Sequence, residues 1–440
     1  MRLKFKAVFA AALACLAAPA LAQEDAAPAA APPPAAAAAQ PQAATPRAPI
    51  PYTSLNRPAP RPAPRAAAPA PAATPAASPA ATSLGTAQGL PVTAAGARLA
   101  AGEAIPQAEL EAFVDGVVRD AMARDHIAGV TVSVVQNGQV VLKKGYGFAS
   151  LSPARKVDPD KTLFRVGSIS KTFTWIALMK EIEAGRIRQD APINLYLPER
   201  IQVRDQGYRA PVRVINLMDH SPGFEDRALG HLFERNFNRV RPLAEYLRQE
   251  RPRRVRAPGE ASAYSNYGAA LAGEAVSYVS GKPFEQLIED SIFRPAGMAS
   301  TSFREPHPVK AGLPAPLAAG LAANLSDAYR WADGAFARRP FEYVGQIAPA
   351  GSASSTAGDM ARYMQLLLNG GVIDGKAIYG PQAAQAFRTP IRKTPTGING
   401  WRHGFIAYAL PGGRTGFGHA GATLSDRKST RLNSSHAGLS

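Results

Sequence analysis

A single cysteine, Cys15, occurs in the 440 residues, and it lies in an N-terminal apolar stretch. The folded part of the chain therefore has no disulfide, no thiol nucleophile and no thiolate metal site. That apolar stretch is short and broken at Pro19, whereas a membrane-spanning helix needs about 20 consecutive apolar residues. The seven histidines are scattered and no His-Glu-x-x-His occurs, so zinc hydrolysis lacks its ligands. There is no Gly-x-Ser-x-Gly elbow, which speaks against a Ser-His-Asp hydrolase; Asp219-His220-Ser221 are adjacent in the chain and would rarely converge as a triad. Acidic residues are also scarce. Asp and Glu number 33 against 50 Lys and Arg, a formal net charge of +17. The densest basic run, Arg248, Arg251, Arg253, Arg254 and Arg256, sits among prolines and reads as a loop. No nucleic-acid-binding motif accompanies it. The charge reads as arginine spread over a solvated surface rather than a binding site for an acidic polymer.

Alanine and proline are what the first hundred residues do contain. Arg2, Lys4 and Lys6 precede an apolar run from Val8, and Ala20-Leu21-Ala22 forms a small-x-small cleavage site, so residues 1–22 are expected to be a secretory signal peptide. Ala12 is a poor start for a lipobox and the stretch after Cys15 stays apolar, which argues against lipidation at Cys15. The mature protein is expected in the periplasm or outside the cell. Residues 23–104, centred on PAPRPAPRAAAPAPAA, cannot bury enough apolar surface to offset their ordering entropy. They are expected to be a disordered, extended spacer. The foldable region is expected over 105–425.

Its elements can be read from periodicity. Leu110, Phe113, Val114, Val117, Val118 and Met122 share one helix face. Two strands should flank Asn137-Gly138, a type I′ turn pair. TLFRVGSISKTFTWIALMKEIEAGRI reads as a strand entering an apolar helix stopped at Gly185. Residues 186–256 are mixed. Two helices follow, separated by Gly281-Lys282-Pro283, then a helix opened by Ser355 or Thr356 and closed by Gly370-Gly371. Two strands around a Pro-Gly-Gly turn come last, the second ending in GHAG. Strands at both ends with helices between predict an α+β fold, one antiparallel sheet built from both ends with a helical subdomain inserted.

Three short patterns can carry chemistry. In Ser168-Ile169-Ser170-Lys171, a helix start would put Lys171 one turn after Ser168 on the same face. A serine hydroxyl is a weak nucleophile until a nearby base accepts its proton. An apolar setting favours the neutral amine that can do so. Ser and Lys three apart also describe an N-cap and a surface lysine. Tyr264-Ser265-Asn266 offers a proton-shuttling phenol and an amide that can orient a lysine or a substrate; taken alone it describes a buried tyrosine and a helix cap. His419-Ala420-Gly421 ends an apparent strand, where small residues let a substrate backbone approach; taken alone it is a turn.

Together and in this order, FRVGSISKTFT, PGEASAYSNYG and FGHAG resemble the three motifs of the serine β-lactamase and penicillin-binding superfamily, in particular its class C and DD-peptidase-like branch. VRVINLMDHSPGF and PAGSASSTAGDMARYMQLLLNGG resemble supporting segments of that branch, and the resemblance spans about Pro106 to Ala422. It implies a β-lactamase/transpeptidase-like fold and a serine hydrolase that works through an acyl-enzyme on Ser168. Lys171 and Tyr264 would share the proton transfers, Asn266, His419 and Gly421 would line the substrate, and the N–H groups of Ser168 and Ala422 would form the oxyanion hole. The resemblance implies no metal or organic cofactor. The acyl donor stays open among a peptidoglycan stem peptide, a D-amino-acid amide, a small ester and a β-lactam. His419 and Ala420 stand where β-lactamases of the branch carry Lys and Thr, which brings the chain nearer to the DD-peptidases, D-amino-acid peptidases and esterases. His220-Ser221-Pro222-Gly223 stands where the branch has a Thr-Ser-Gly turn. The rival reading from another class is a penicillin-recognising sensor or cell-wall-binding module that acylates without turnover or only binds.

The last stretch is of a different kind. In the resembled fold, two strands and a final helix follow the third motif; after Ser425 the chain has only polar, patternless sequence. Asp426 to His436, DRKSTRLNSSH, can be encoded by a common sequencing adapter read in frame. Residues 426–440 are therefore expected to be an artefact, with the motif strand left as an exposed sheet edge.

Overall fold

The computed structural model describes residues 99–100, 102–225, 232–392, 399–410 and 415–423, and the backbone of 434–439. The expected signal peptide, most of the spacer and the Pro411-Gly412-Gly413 turn lie outside these residues. No helix among the described residues is long and apolar enough to cross a membrane.

Helix α1 (Gln107–Asp125) buries Leu110, Val114 and Val118 against Leu142 and Tyr146, as its apolar face requires. Strands β1 (Gly129–Gln136) and β2 (Gln139–Leu151) form the expected hairpin. Asn137 at φ 52° and Gly138 at φ 74° supply the two left-handed residues of a type I′ turn. Helix α2 (Ser170–Glu183) is buried on every side, from Ser170 to Met179 without a break. Such a helix belongs in the middle of a core. Helix α3 (Asn266–Ser280) lies against it, and the main apolar cluster runs through both. A short helix, Ala348–Gly351, packs against both α2 and α3. A Cβ at Gly273 of α3 would stand 2.3 Å from the Pro349 ring, so glycine is needed for this close approach. Helix α4 (Ala357–Leu368) is capped by Thr356, whose hydroxyl accepts the Asp359 N–H at 3.1 Å. Among the described residues between α2 and α3 the chain makes turns, three short 3₁₀ helices and two small α-helices, Val214–Met218 and Leu243–Gln249.

The C-terminal half of the sheet structure differs from expectation in two ways. Three strands, not two, precede the end of the third motif: β3 (Gly400–Arg402), β4 (Phe405–Ala409) and β5 (Thr415–Gly421). His403 at φ 47° and Gly404 at φ 91° make a second tight turn between β3 and β4. Secondly, the edge of β5 is not open. Strand β6 (Ser434–Leu439) pairs with it antiparallel, His419 opposite His436. Ladder hydrogen bonds are made by the backbone, so a polar segment without strand patterning can still occupy an unpaired edge. The ladder β3-β4-β5-β6 and the ladder that holds β1 and β2 are bonded separately. The strands from the two ends thus form two antiparallel sheets, both packed on α4.

Candidate active site

Ser168 sits on a single 3₁₀ turn, Gly167–Ile169, that runs directly into α2. This places Lys171 one turn along, fully buried. Its Nζ lies 3.1 Å from Ser168 Oγ, 2.7 Å from Asn266 Oδ1 and 2.6 Å from the Ala350 carbonyl oxygen. Two of these contacts are set by helices. Asn266 is the first residue of α3, and Ser265 caps that helix by accepting the Gly268 N–H at 3.0 Å. Ala350 belongs to the short helix wedged between α2 and α3. It is tied to α2 by the Thr174 hydroxyl, which donates to the Pro349 carbonyl at 2.8 Å, and by the Ala353 N–H, which donates to Ser170 Oγ at 3.0 Å.

The Tyr264 ring stands over the same amine, with Lys171 Nζ 4.8 Å from its centroid. His419, on β5, is buried; its ring lies 6.0 Å from that of Tyr264, and Nδ1 donates to the Ala420 carbonyl at 2.5 Å. Gly421 and Gly167 let the end of β5 touch the nucleophile turn. A Cβ on Gly421 would fall 1.9 Å from the Val166 carbonyl oxygen and 3.3 Å from the Ser168 nitrogen. A Cβ on Gly167, whose φ is +51°, would fall 2.8 Å from the Ala422 nitrogen. The N–H groups of Ser168 and Ala422 are thereby brought into one small region.

Ser168, Lys171, Tyr264, Asn266, His419, Gly421 and Ala422 therefore assemble at one place from three distant chain segments. Two participants carry no sequence signal of their own. The Ala350 carbonyl is backbone, and residue type says nothing about where it points. Trp401, half-buried on β3, lies 6.2 Å from both the Tyr264 and the His419 rings. Asp219, His220 and Ser221 do not form a triad. The Ser221 hydroxyl bonds to Asp219, Arg392 pairs with Asp219 at 2.5 Å, and the His220 ring faces Tyr264 instead. Three of the clustered arginines have internal work. Arg248 pairs with Glu245 at 2.6 Å, Arg251 donates to the Arg200 carbonyl, and Arg254, which is buried, donates to the Tyr208 and Ala210 carbonyls.

A family model described as beta-lactamase matches residues 114–430. Protein flp of Staphylococcus aureus (strain N315) is 24% identical over 193 residues, which cover 44% of this chain and 38% of that protein. A beta-lactamase of Pseudomonas fluorescens is 28% identical over 198 residues, 45% of this chain and 52% of that protein. This chain thus spans about half the length, or less, of these two relatives. Among solved structures, the octameric penicillin-binding protein homologue from Pyrococcus abyssi superposes with a TM-score of 0.59 at 24% identity, covering 71% of this chain and 68% of its own. A hydrolase with promiscuous acyltransferase activity gives 0.57 at 20% identity, with coverage of 71% and 90%. A class C beta-lactamase mutant gives 0.58 at 20% identity, with coverage of 72% and 88%. At these identities the superpositions establish a common fold.

Proposed function

The chain belongs to the beta-lactamase family, whose members are serine hydrolases, and from that premise we propose that it cleaves an amide or ester through an acyl-enzyme on Ser168. The observation that carries the reading is the coordination of Lys171. Two of its three hydrogen-bond directions end on fixed, uncharged oxygens, Asn266 Oδ1 and the Ala350 carbonyl, and the third faces Ser168 Oγ. A neutral amine there donates its two N–H groups as hydrogen bonds to the fixed acceptors. Its lone pair then points at the serine hydroxyl, as a general base requires.

The steps follow. Ser168 Oγ attacks the substrate carbonyl carbon as its proton passes to Lys171. The carbonyl oxygen takes the electron pair and is held by the N–H groups of Ser168 and Ala422, donors that stabilise charge as it develops. The tetrahedral intermediate collapses, the bond to the leaving group breaks, and that group takes a proton delivered by way of Tyr264 and Lys171. Water then attacks the ester by the same route in reverse and frees Ser168. Asn266 orients Lys171, while His419 and Gly421 line the strand along which the acyl donor lies. The reaction needs no cofactor. The candidate donors are a peptidoglycan stem peptide, a D-amino-acid amide, a small ester and a β-lactam. The basic and apolar N-terminal residues, ending at Ala20-Leu21-Ala22, support action in the periplasm or outside the cell.

A panel of activated esters, D-amino-acid amides, D-Ala-D-Ala peptides and a chromogenic cephalosporin tests the reading, with Ser168→Ala as control. Turnover of at least one class that vanishes in Ser168→Ala is expected. A stable adduct without turnover would instead identify a sensor, and turnover surviving in Ser168→Ala would refute the role of Ser168.

A further inference from the structure

Next to the tyrosine lies a histidine that these steps do not use. His220 occupies a left-handed turn position, φ +54°, and is 1% exposed. Its carbonyl oxygen accepts the Ala263 N–H at 2.7 Å, and its Nδ1 accepts the Ser265 N–H at 3.1 Å. These are the two peptide N–H groups on either side of Tyr264. The imidazole also meets the Tyr264 ring directly, with centroids 4.7 Å apart and planes 32° from parallel. Trp401 closes on it at 4.2 Å, and Trp175 meets it edge-on at 6.2 Å. The turn itself is anchored. Arg392 donates to Asp219, to the Ser221 hydroxyl and to the Gly259 carbonyl, and the Gly259 N–H donates to the Ser221 carbonyl at 2.8 Å.

We infer that His220 is a positioning residue for acyl transfer, which fixes Tyr264 and, through Ser265, Asn266 against Lys171 by holding the backbone on both sides of the tyrosine. The inference rests on the acyl-enzyme reading above. It needs a neutral imidazole with its proton on Nε2, because a proton on Nδ1 would confront the Ser265 N–H. The surroundings enforce this. Burial, first of all, pushes the His220 pKa well below the ordinary histidine value. Asp219, the adjacent acid, is ion-paired with Arg392 and so is not free to stabilise an imidazolium. Nε2 is buried and has no hydrogen-bond partner among the described residues. The ring thus acts as a fixed acceptor rather than a proton carrier.

Two variants of the full chain separate this role from general packing. Asn tolerates the left-handed backbone and can put Oδ1 where Nδ1 stands; Gly tolerates the backbone but offers no acceptor. With an activated ester and a fluorescent penicillin as probes, the first-order acylation constant and the apparent binding constant are measured separately. Loss of one buried hydrogen bond predicts that His220→Gly slows acylation about tenfold or more, with binding changed by no more than about twofold, and that His220→Asn recovers to within about threefold of the parent. ¹⁵N spectra of histidine-labelled parent protein should show Nδ1 unprotonated at neutral pH. Equal acylation in the parent and His220→Gly would overturn this inference alone, as would equal slowing in the Asn and Gly variants or a protonated Nδ1. Absence of any acylation in the parent would overturn the acyl-enzyme reading and this inference with it.

Discussion

Gly421 and the carbonyl oxygen of Val166 are so close that a Cβ on the glycine would stand 1.9 Å from the oxygen. The end of β5 and the turn that carries Ser168 therefore meet through a residue with no side chain. Neither partner can yield easily, because both contact atoms belong to backbone. Gly421→Ala should push the strand off the nucleophile turn. The expected cost is about 1–3 kcal/mol of stability, as for other overpacked sites. A displacement near 1 Å should also lower the acylation rate by about a hundredfold. Thermal unfolding and single-turnover acylation measure the two effects independently.

Lys171 is fully buried among apolar neighbours of α2. Lys171→Met replaces it with a side chain of similar length and removes a base. The rate of Ser168 acylation should fall by about 10²–10⁴-fold, the usual contribution of a general base. Stability should fall by about 1–3 kcal/mol, since Asn266 Oδ1 and the Ala350 carbonyl lose their buried donor. Denaturant unfolding at equal m-value, set beside the acylation rate, gives the comparison.

Asn266→Ala takes away one of the two oxygens that hold the amine. It leaves a buried polar group short of a partner, which costs about 1–3 kcal/mol. Lys171 then has less reason to face Ser168, so kcat should fall by more than KM changes. Asn266→Asp is the informative companion. A carboxylate beside Lys171 favours its charged form, so activity should drop even though the fold keeps its hydrogen bond. Steady-state kinetics on the best substrate of the panel distinguishes the two.

Much of this site was legible because its side chains announce themselves locally. Ser168 and Lys171 are three apart at a helix start, Tyr264 and Asn266 flank the cap of another, and the Asn137-Gly138 hairpin follows from two residues that tolerate positive φ. What sequence reasoning missed lies in long-range contact and in backbone. The Ala350 carbonyl carries no residue signature. The contact of His220 with Trp401 joins residues far apart in the chain, and nothing local to either indicates it. The turn at His403-Gly404 lacks the Asn-Gly or Asp-Gly pair that marks a two-residue hairpin turn in sequence, although histidine also accepts positive φ. Strand β6 could not be anticipated from polar sequence, since the open edge of β5 rather than its own patterning gives it a place.

Away from the site, Glu285 predicts a pH dependence of stability. It is buried beside the Arg304–Glu289 pair, and burial raises its pKa from the usual carboxylate value to about 7. A folded-state value above the unfolded one means the folded chain binds more protons between the two. Stability should therefore be fullest below about pH 4.5 and decline as the pH rises through about 7. Glu285→Gln should remove this component. It should match the parent at acid pH and exceed it at pH about 8 in urea unfolding.

The central claim is that Ser168 is the acylated nucleophile. The most direct measurement is intact-protein and peptide mass spectrometry after brief exposure to an activated ester or a fluorescent penicillin. The account predicts one adduct, on the peptide containing Ser168, absent in Ser168→Ala and slowed in Lys171→Met. An adduct on another residue, or none with either probe, would contradict it.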